Sequence, residues 1–402
     1  MYHQRPIVMA ELFWLSDQAE EIMAKIRIHL EKHRVMTPSG LMALRKECSD
    51  ISPERISTLC GIAEATLKAE KNNKSRGNWW FTRETYEQSS APEIARHHAS
   101  YFKDCHSVVE LCTGSGMDTS YIADFAESVV TYEADELTAA IAQRNFVRNG
   151  LHSITVMHHK AEEFLHNPPI IPDGLWADPA RRNSIQRFTS PDEYLPPLSL
   201  VQNAPYKKIC GIKVSPAFDE ILEYPWKKEI IGYKQECREI VLWNDPSMEY
   251  NSLVSRPDFA LQWHPNSTQQ ATLLAPEKAH ILVEPHPALI RSGALGTFFY
   301  EHGISVFDNR IGYGISEHEI MPSPWYERFT ILDMMIYHEK TMQKKIREYQ
   351  WSHLTEIKKR GFFTEPDILR KKFTWAKGKE KGVIITTRYA DTYIVFFAQR
   401  TE

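Results

Sequence analysis

Apolar residues recur at four-residue steps early in the chain, at Ile22, Ile26 and Leu30 within SDQAEEIMAKIRIHLEKH. That is a helical period, with Ser16 placed as N-cap and Asp17 near the positive helix end. A second helix is predicted from Pro53 to about Ala69, and Asn72 to Gly77 reads as a polar, basic linker. The texture changes near residue 78, where NWWFTRETYEQSSAPEIARHHASYF joins an aromatic entry to a helix after Ala91. From Ser107 short apolar runs end in special residues: VVELCTGSG, VVTYEAD, ITVMHH, GLWADPA and KICGIKVSP. Helical stretches such as DELTAAIAQRNFVRNG lie between several of them. Strands alternating with helices predict an α/β unit with a mostly parallel sheet covered on both faces.

After Pro225 the pieces EIIGYKQ, REIVLWN and ATLLA read as strands without long helices between them, suited to antiparallel closure of one sheet edge. From about Lys278, HILVEPHPALIRSGAL and GISVFDN predict a small βαβ-type module. From about Pro322 the pattern predicts a helix around Ile331 to Glu348 and the strands VIITTR and TYIVFFAQR, the last nearly all apolar and therefore buried. The expected organisation is a helical region over 1–78, an α/β domain over 79–277 and two α+β modules over 278–321 and 322–402.

Charge refines this picture. The 402 residues carry a net charge of -4, so no global field draws the chain to nucleic acid. From His338 to Arg388, however, 14 Lys or Arg face 6 Asp or Glu, a basic segment on an acidic body. Such a segment suits an anionic partner. The runs Lys358-Lys359-Arg360 and Arg370-Lys371-Lys372, interleaved with Trp351 and Trp375, read either as phosphate and base contacts or as a solvated face over core tryptophans. The six cysteines form no C-x-x-C pair and no Cys/His cluster with zinc spacing, so no metal is expected and a reduced, intracellular setting is. No stretch approaches the roughly 20 apolar residues of a membrane span, and no targeting segment is visible, so a cytoplasmic protein without a membrane partner is expected.

Candidate chemistry concentrates in the α/β part. In Val108-Val109-Glu110-Leu111-Cys112-Thr113-Gly114-Ser115-Gly116 an apolar strand ends in an acid, then a Gly-containing turn, with Asp118 and Thr119 at the following helix start. Glycine there permits positive φ and close approach of a ligand to the backbone. A dinucleotide site wants a third glycine where this chain has Thr119. S-adenosylmethionine (SAM) has no phosphate but a cationic sulfonium and amino group, for which carboxylates such as Glu110 or Asp118 are apt. Val129 to Glu133 ends in an acid 19 residues after Gly114, able to accept both ribose hydroxyls of an adenosyl group or, alternatively, to cap the next helix with Asp135. Leu175-Trp176-Ala177-Asp178-Pro179-Ala180-Arg181-Arg182 sits where the fourth strand should end. Asp178 can accept a hydrogen bond from a nucleophilic amine or hydroxyl, and Pro179 stiffens the loop. The adjacent pairs His97-His98 and His158-His159 point in different directions and read as structural or surface residues.

These residues resemble class I SAM-dependent methyltransferases. Glu110 to Gly116 looks like their motif I, Glu133 like their ribose-binding acid, and Asp178-Pro179 stands at the Asp/Asn-Pro-Pro-aromatic motif of the amino-group enzymes. More closely, YEQSSAPEIARHHA, D-P-A-R-R, K-V-S-P, EPHPALIRSGAL and KKFTWAKGKEKGVIITTR resemble bacterial methyltransferases with a C-terminal THUMP-like domain, over most of the chain from about residue 80. The resemblance implies a Rossmann-like methyltransferase domain, a ferredoxin-like module over 278–321 and a THUMP-like module over 322–402. It implies SAM held by Glu110, Thr113, Gly114, Ser115, Gly116, Asp118, Glu133, Ala134 and Glu162, with Asp178 and Pro179 catalytic and Arg181, Lys371 and Lys372 toward an RNA substrate. Two departures stand out: Ala180-Arg181 replace the base-stacking aromatic, and Lys160-Ala161-Glu162 replace the usual Asp near the adenine, with Glu162 as its substitute. The expected function is methylation of RNA. The alternatives are an RNA-binding protein with a vestigial methyltransferase fold, and a methyltransferase of a small molecule or protein.

Overall fold

The computed structural model describes residues 12–181, 190–220 and 222–401. The chain forms two compact units, one of residues up to 229 with Glu239–Asn251, the other of Ile230–Arg238 with 252–402.

The first unit opens on helices α1 (Leu12–Leu15), α2 (Asp17–His33), α3 (Pro38–Glu47) and α4 (Pro53–Lys71). Ser16, Thr37 and Ser52 each accept a backbone N–H of the first turn, and Pro38 and Pro53 sit where a missing N–H does no harm. Helix α3 was not expected from periodicity, because it buries only Leu44; its Thr37-Pro38 start was the readable signal. Ala19, Ile22, Met23, Ile26 and Leu30 of α2 pack against Ile56, Leu59, Ile62 and Ala63 of α4, together with Trp80 and Ile141.

Helices α5 (Arg83–Gln88) and α6 (Pro92–Ser100) lead into the alternating part: β1 (Ser107–Leu111), α7 (Met117–Ile122), β2 (Ser128–Glu133), α8 (Glu136–Arg148), β3 (Ile154–His158), α9 (Ala161–His166), β4 (Gly174–Ala177), α10 (Leu198–Gln202), β5 (Ile209–Val214), β6 (Lys227–Tyr233), which from Ile230 on belongs to the second unit, and β7 (Glu236–Asn244). Within this unit the strand order is β3-β2-β1-β4-β5-β7. Strands β3, β2, β1, β4 and β5 pair in parallel, and β7 runs antiparallel to β5. The sheet reverses direction of growth at β1, and the crevice beside that strand is where open α/β sheets bind ligands. The central strands are buried on both faces, as continuous apolar runs require.

The second unit holds β8 (Ser252–Arg256), β9 (Leu261–Trp263), β10 (Ile281–Pro285), α11 (Pro287–Arg291), α12 (Leu295–Glu301), β11 (Ser305–Val306), β12 (Gly314–Ser316), β13 (Tyr326–Ile336), α13 (Glu339–Glu348), β14 (Glu356–Arg360), α14 (Pro366–Lys371), β15 (Val383–Tyr389) and β16 (Thr392–Thr401). Seven strands form one sheet, β11-β12-β10-β13-β16-β15-β14. Strands β10 and β11 both run antiparallel to β12 between them, a split β-α-β arrangement of the ferredoxin-like kind.

Two sequence expectations are corrected here. Residues 331–336 are strand, not helix. The long β13 pairs with β10 on one side and β16 on the other, and this pairing overrides the helical preference of LDMM. The ATLLA segment forms no strand; it contributes one bridge, Leu273 to Val306. The buried final strand is as expected, with Ile394 to Ala398 inaccessible.

Candidate active site at the carboxyl ends of the parallel strands

The turn after β1 folds back on itself. Cys112, Gly114 and Gly116 take positive φ of 70°, 56° and 80°, and the N–H groups of Cys112 and Thr113 donate to Tyr132 O at 2.9 and 3.2 Å. The two glycines differ in surroundings. A Cβ on Gly116 would lie 2.4 Å from Cζ of Phe146, whereas one on Gly114 would meet nothing within 4 Å. The backbone at Gly114 therefore faces open space, as a ligand cradle requires. Ser115 is held from behind, its carbonyl accepting from Trp79 Nε1 at 2.9 Å and from Asn145 Nδ2 at 3.3 Å.

Register brings the other candidates beside this turn. Leu111 is paired with Tyr132 on one side and Ala177 on the other, so the chain ends after β1, β2 and β4 are neighbours. Glu133 accepts from Gly114 N–H at 2.9 Å through Oε2 and from Asp135 N–H at 3.1 Å through Oε1. Burial raises its pKa, and those backbone donors act against the rise. Asp135, not Glu133, caps α8, accepting from Thr138 N–H at 2.8 Å. Ala134 is exposed between them, and Glu162 is half-buried in the first turn of α9.

Glu110 lies beneath the turn, enclosed by hydroxyls. Thr119 and Thr131 both donate to Oε2, the latter at 2.7 Å, and Thr113 bonds Thr131 at 2.6 Å. Burial pushes its pKa up to about 8 against these hydrogen bonds. In this state the acid braces β1, β2 and α7 to one another.

Asp118 and Asp178 belong to one buried polar chain. Asp118 accepts from Ser90 Oγ at 2.8 Å and bonds Nδ1 of His98 at 2.9 Å. Nε2 of His98 lies 2.8 Å from Oε1 of Glu239. Lys213 Nζ reaches Asp178 Oδ2 at 2.9 Å, Ser90 Oγ at 3.1 Å and Glu239 Oε2 at 3.2 Å. Burial opposes charge on His98, but Asp118 and Glu239 outweigh it and raise the pKa to about 9. Burial likewise opposes the Lys213 ammonium, and Asp178 and Glu239 overcome it, so that the pKa rises. Burial would raise the two acids, yet the pKa of Asp118 is lowered by His98 and that of Glu239 by Lys213 and His98.

Pro179 is buried, and Ala180 is exposed and bridged to Leu195. The Arg181 guanidinium donates to Val214 O at 3.1 Å. Arg182 lies outside the described residues. His98 is a fully buried core residue, tilted against Trp176 with ring centroids 4.6 Å apart, and His159 pairs with Glu163 on a partly exposed helix start.

Ser90 and Lys213 stand in the family-like stretches YEQSSAPEIARHHA and K-V-S-P, yet the sequence assigned no role to them or to Glu239, and no partner to His98. One signal was available: a lysine in the middle of ICGIKV, a strand otherwise apolar and buried at every position.

In the second unit, Lys371 is exposed and Lys372 pairs with Glu339 at 2.5 Å. The expected phosphate-contacting run is already paired. Lys358 holds Glu284, Glu327 and Glu356 at 2.5, 3.1 and 3.3 Å, Lys359 holds Glu365, and Arg360 holds Glu284 at 3.2 Å. Trp351 is core, stacked on Tyr349 with centroids 5.0 Å apart.

Comparison with known proteins agrees with this architecture. Residues 326–400 match the THUMP domain-like family. Over 326 residues, 78% of this chain and 86% of the relative, the sequence is 24% identical to an uncharacterized S-adenosylmethionine-dependent methyltransferase of Mycobacterium tuberculosis. A crystal structure of a candidate methyltransferase from Porphyromonas gingivalis W83 superposes with a TM-score of 0.72 at 18% identity, covering 95% of this chain and 99% of that one. The chain has the class I methyltransferase fold and carries a THUMP-like domain. The α/β unit with β7 antiparallel beside β5 is the methyltransferase-fold part, and β13 to β16 with α13 and α14 make the THUMP-like part.

Proposed function

We propose that this chain is a SAM-dependent methyltransferase whose acceptor is an RNA. The observation that carries the reading is the meeting of three features at adjacent strand ends: the open backbone at Gly114, the carboxylate of Glu133 bonded to it, and Asp178 beyond β4. SAM supplies an activated methyl group on a sulfonium, and the residues present suit it. Gly114 leaves room at the backbone. Each Glu133 oxygen, although it accepts one backbone N–H, keeps a lone pair for a ribose hydroxyl. Thr113, Ser115, Gly116 and Asp118 shape the turn and its wall, and Ala134 and Glu162 border the adenosyl side.

Asp178 then faces the methyl acceptor. A carboxylate oxygen accepting the acceptor's N–H or O–H orients the nucleophile's lone pair along the line of displacement, so alignment supplies most of the rate gain. Pro179 restricts the loop that carries it. Arg181, fixed to Val214 O, stands where amino-group enzymes have an aromatic, so it contacts the substrate through charge and its guanidinium plane.

The THUMP-like domain supports an RNA acceptor, with the exposed cations of α13 and Lys371 as its phosphate contacts. The ion pairs that occupy Lys358, Lys359 and Arg360 favour a second reading, a methyltransferase of a small molecule or protein. Transfer of radiolabelled methyl from SAM to total RNA, lost in Asp178→Ala, supports the first reading. Transfer only to protein or small-molecule fractions supports the second. Absence of SAM binding by calorimetry overturns both.

A further inference from the structure

The ammonium of Lys213 is almost fully buried and all three of its donors are committed: Oδ2 of Asp178, Oγ of Ser90 and Oε2 of Glu239, at 2.9, 3.1 and 3.2 Å. Asp178 itself is partly exposed. Its second oxygen, Oδ1, has no hydrogen-bond partner among the described residues. One oxygen of this carboxylate is thus tethered inward and the other is left open. We infer that Lys213 is the positioning residue of the methyl-acceptor site, fixing Asp178 by Oδ2 so that Oδ1 is presented to the acceptor's N–H or O–H. This rests on the function proposed above.

The tether extends toward the cofactor side. The same Ser90 hydroxyl that accepts from Lys213 donates to Asp118 at 2.8 Å, and Asp118 sits in the first turn of α7, directly after the Gly114–Gly116 turn. Lys213 therefore stands between the acid on the acceptor side and the acid behind the cofactor turn. Glu239 and His98 hold it there: Glu239 lies 3.2 Å from Nζ and 2.8 Å from His98 Nε2. A carboxylate on a loop after β4 would otherwise rotate about two side-chain torsions, and a displacement of about 1 Å at the reacting centre can lower a rate roughly 100-fold.

The test uses the full chain, radiolabelled SAM and total RNA from cells lacking the protein. Removing the lysine alone would strand a buried acid, so Lys213→Met is made in a Glu239→Gln background and compared with that parent. Lys213→Arg is made in the native chain. The expected result is a loss of about 100-fold in rate at saturating RNA. The RNA KM and the SAM Kd by calorimetry stay within about threefold, and Lys213→Arg recovers part of the rate. Asp178→Ala added to Lys213→Met lowers the rate no further, because both changes remove one alignment. A lysine with a merely structural role would instead lower melting temperature, rate and cofactor affinity together and add to Asp178→Ala. That pattern, or an unchanged rate, overturns the inference alone. Native protein that binds SAM and methylates no RNA overturns the RNA reading and this inference with it.

Discussion

The N–H of Gly114 and Oε2 of Glu133 lie 2.9 Å apart, so the acid ending β2 is locked to the turn after β1 before any ligand arrives. A preset carboxylate loses little freedom on binding a diol. Replacing it by alanine removes charge-assisted hydrogen bonds worth about 1.5–3 kcal/mol. Glu133→Ala is therefore expected to weaken SAM binding by roughly 10- to 100-fold, read by calorimetry, with the fold retained by circular dichroism. Unaltered affinity would remove Glu133 from the cofactor site.

Two glycines two residues apart are expected to fail differently. Both take positive φ, where a Cβ costs about 1–2 kcal/mol. Gly116→Ala also drives that Cβ into the buried Phe146 ring, so its loss of stability in urea should exceed 2 kcal/mol or so. Gly114→Ala meets no protein atom and should cost only the backbone strain, yet the new methyl enters the space assigned to the cofactor. Its signature is near-native stability with SAM affinity reduced at least tenfold or so. Equal stability losses for the two variants would contradict this.

The site also sets a pH dependence. His98 titrates near pH 9 in the folded chain and near 6.5 unfolded, so its contribution is complete below about 6.5 and is lost as pH rises through 9. Glu110, raised to about 8 from 4.5, acts with the same sign over the lower window. Asp118 and Glu239, both lowered, contribute above the unfolded carboxylate pKa and lose that contribution on acidification. Stability should thus decline from pH 7 to 9.5, by about 2–3 kcal/mol through His98. Urea midpoints across that range check it. His98→Asn should be less stable at pH 7 and fall less steeply from 7 to 9.5, keeping only the decline that Glu110 contributes as it ionises near 8, and a slope identical to the native one would contradict the assignment.

What could be read from the chain follows physical scale. Motif-bearing strand ends were legible because a Gly turn, an acid after an apolar run and the spacing from Gly114 to Glu133 are local. Helix α2 was legible because its period and its Ser16 cap agree. The Ser90–Lys213–Glu239–His98 chain was not, since its members lie up to 149 positions apart in sequence and meet only when β5 pairs with β7 and α6 packs onto α7. Residues 331–336 were misread for the same reason, because their strand is dictated by two partners distant in sequence. The basic run at Lys358 showed its charge but not the acids that neutralise it.

The N-terminal helices are joined to the methyltransferase-fold core by Arg144, which is fully buried. Its guanidinium lies 4.0 Å over Trp80, bonds Glu20 at 2.5 and 2.9 Å and reaches Asn78 O at 2.7 Å. Truncation leaves Glu20 and the Asn78 carbonyl without this partner. Arg144→Met is expected to lower stability by about 3 kcal/mol, and Arg144→Met with Glu20→Gln by less than the sum of the two singles. Additivity in that cycle, measured in urea, would show the ion pair to be of no consequence.

The two kinds of lysine in the THUMP-like domain should separate cleanly. Lys340, Lys344 and Lys371 are exposed and able to meet phosphates, whereas Lys358 lies among Glu284, Glu327 and Glu356. Each phosphate contact releases counterions, so its removal weakens binding and lowers the slope of log Kd against log salt by about 1. Lys340→Ala, Lys344→Ala and Lys371→Ala should each reduce RNA affinity and that slope while leaving the urea midpoint unchanged. Lys358→Ala removes the cation shared by three acids, leaving Glu284 to Arg360 and Glu327 and Glu356 to Arg400, and should cost about 1–2 kcal/mol of stability, with the salt slope of the folded protein intact. If instead Lys358→Ala lowered the slope and the exposed lysines did not, RNA would be competing for the ion-paired face, and the exposed side of α13 would have no part in binding.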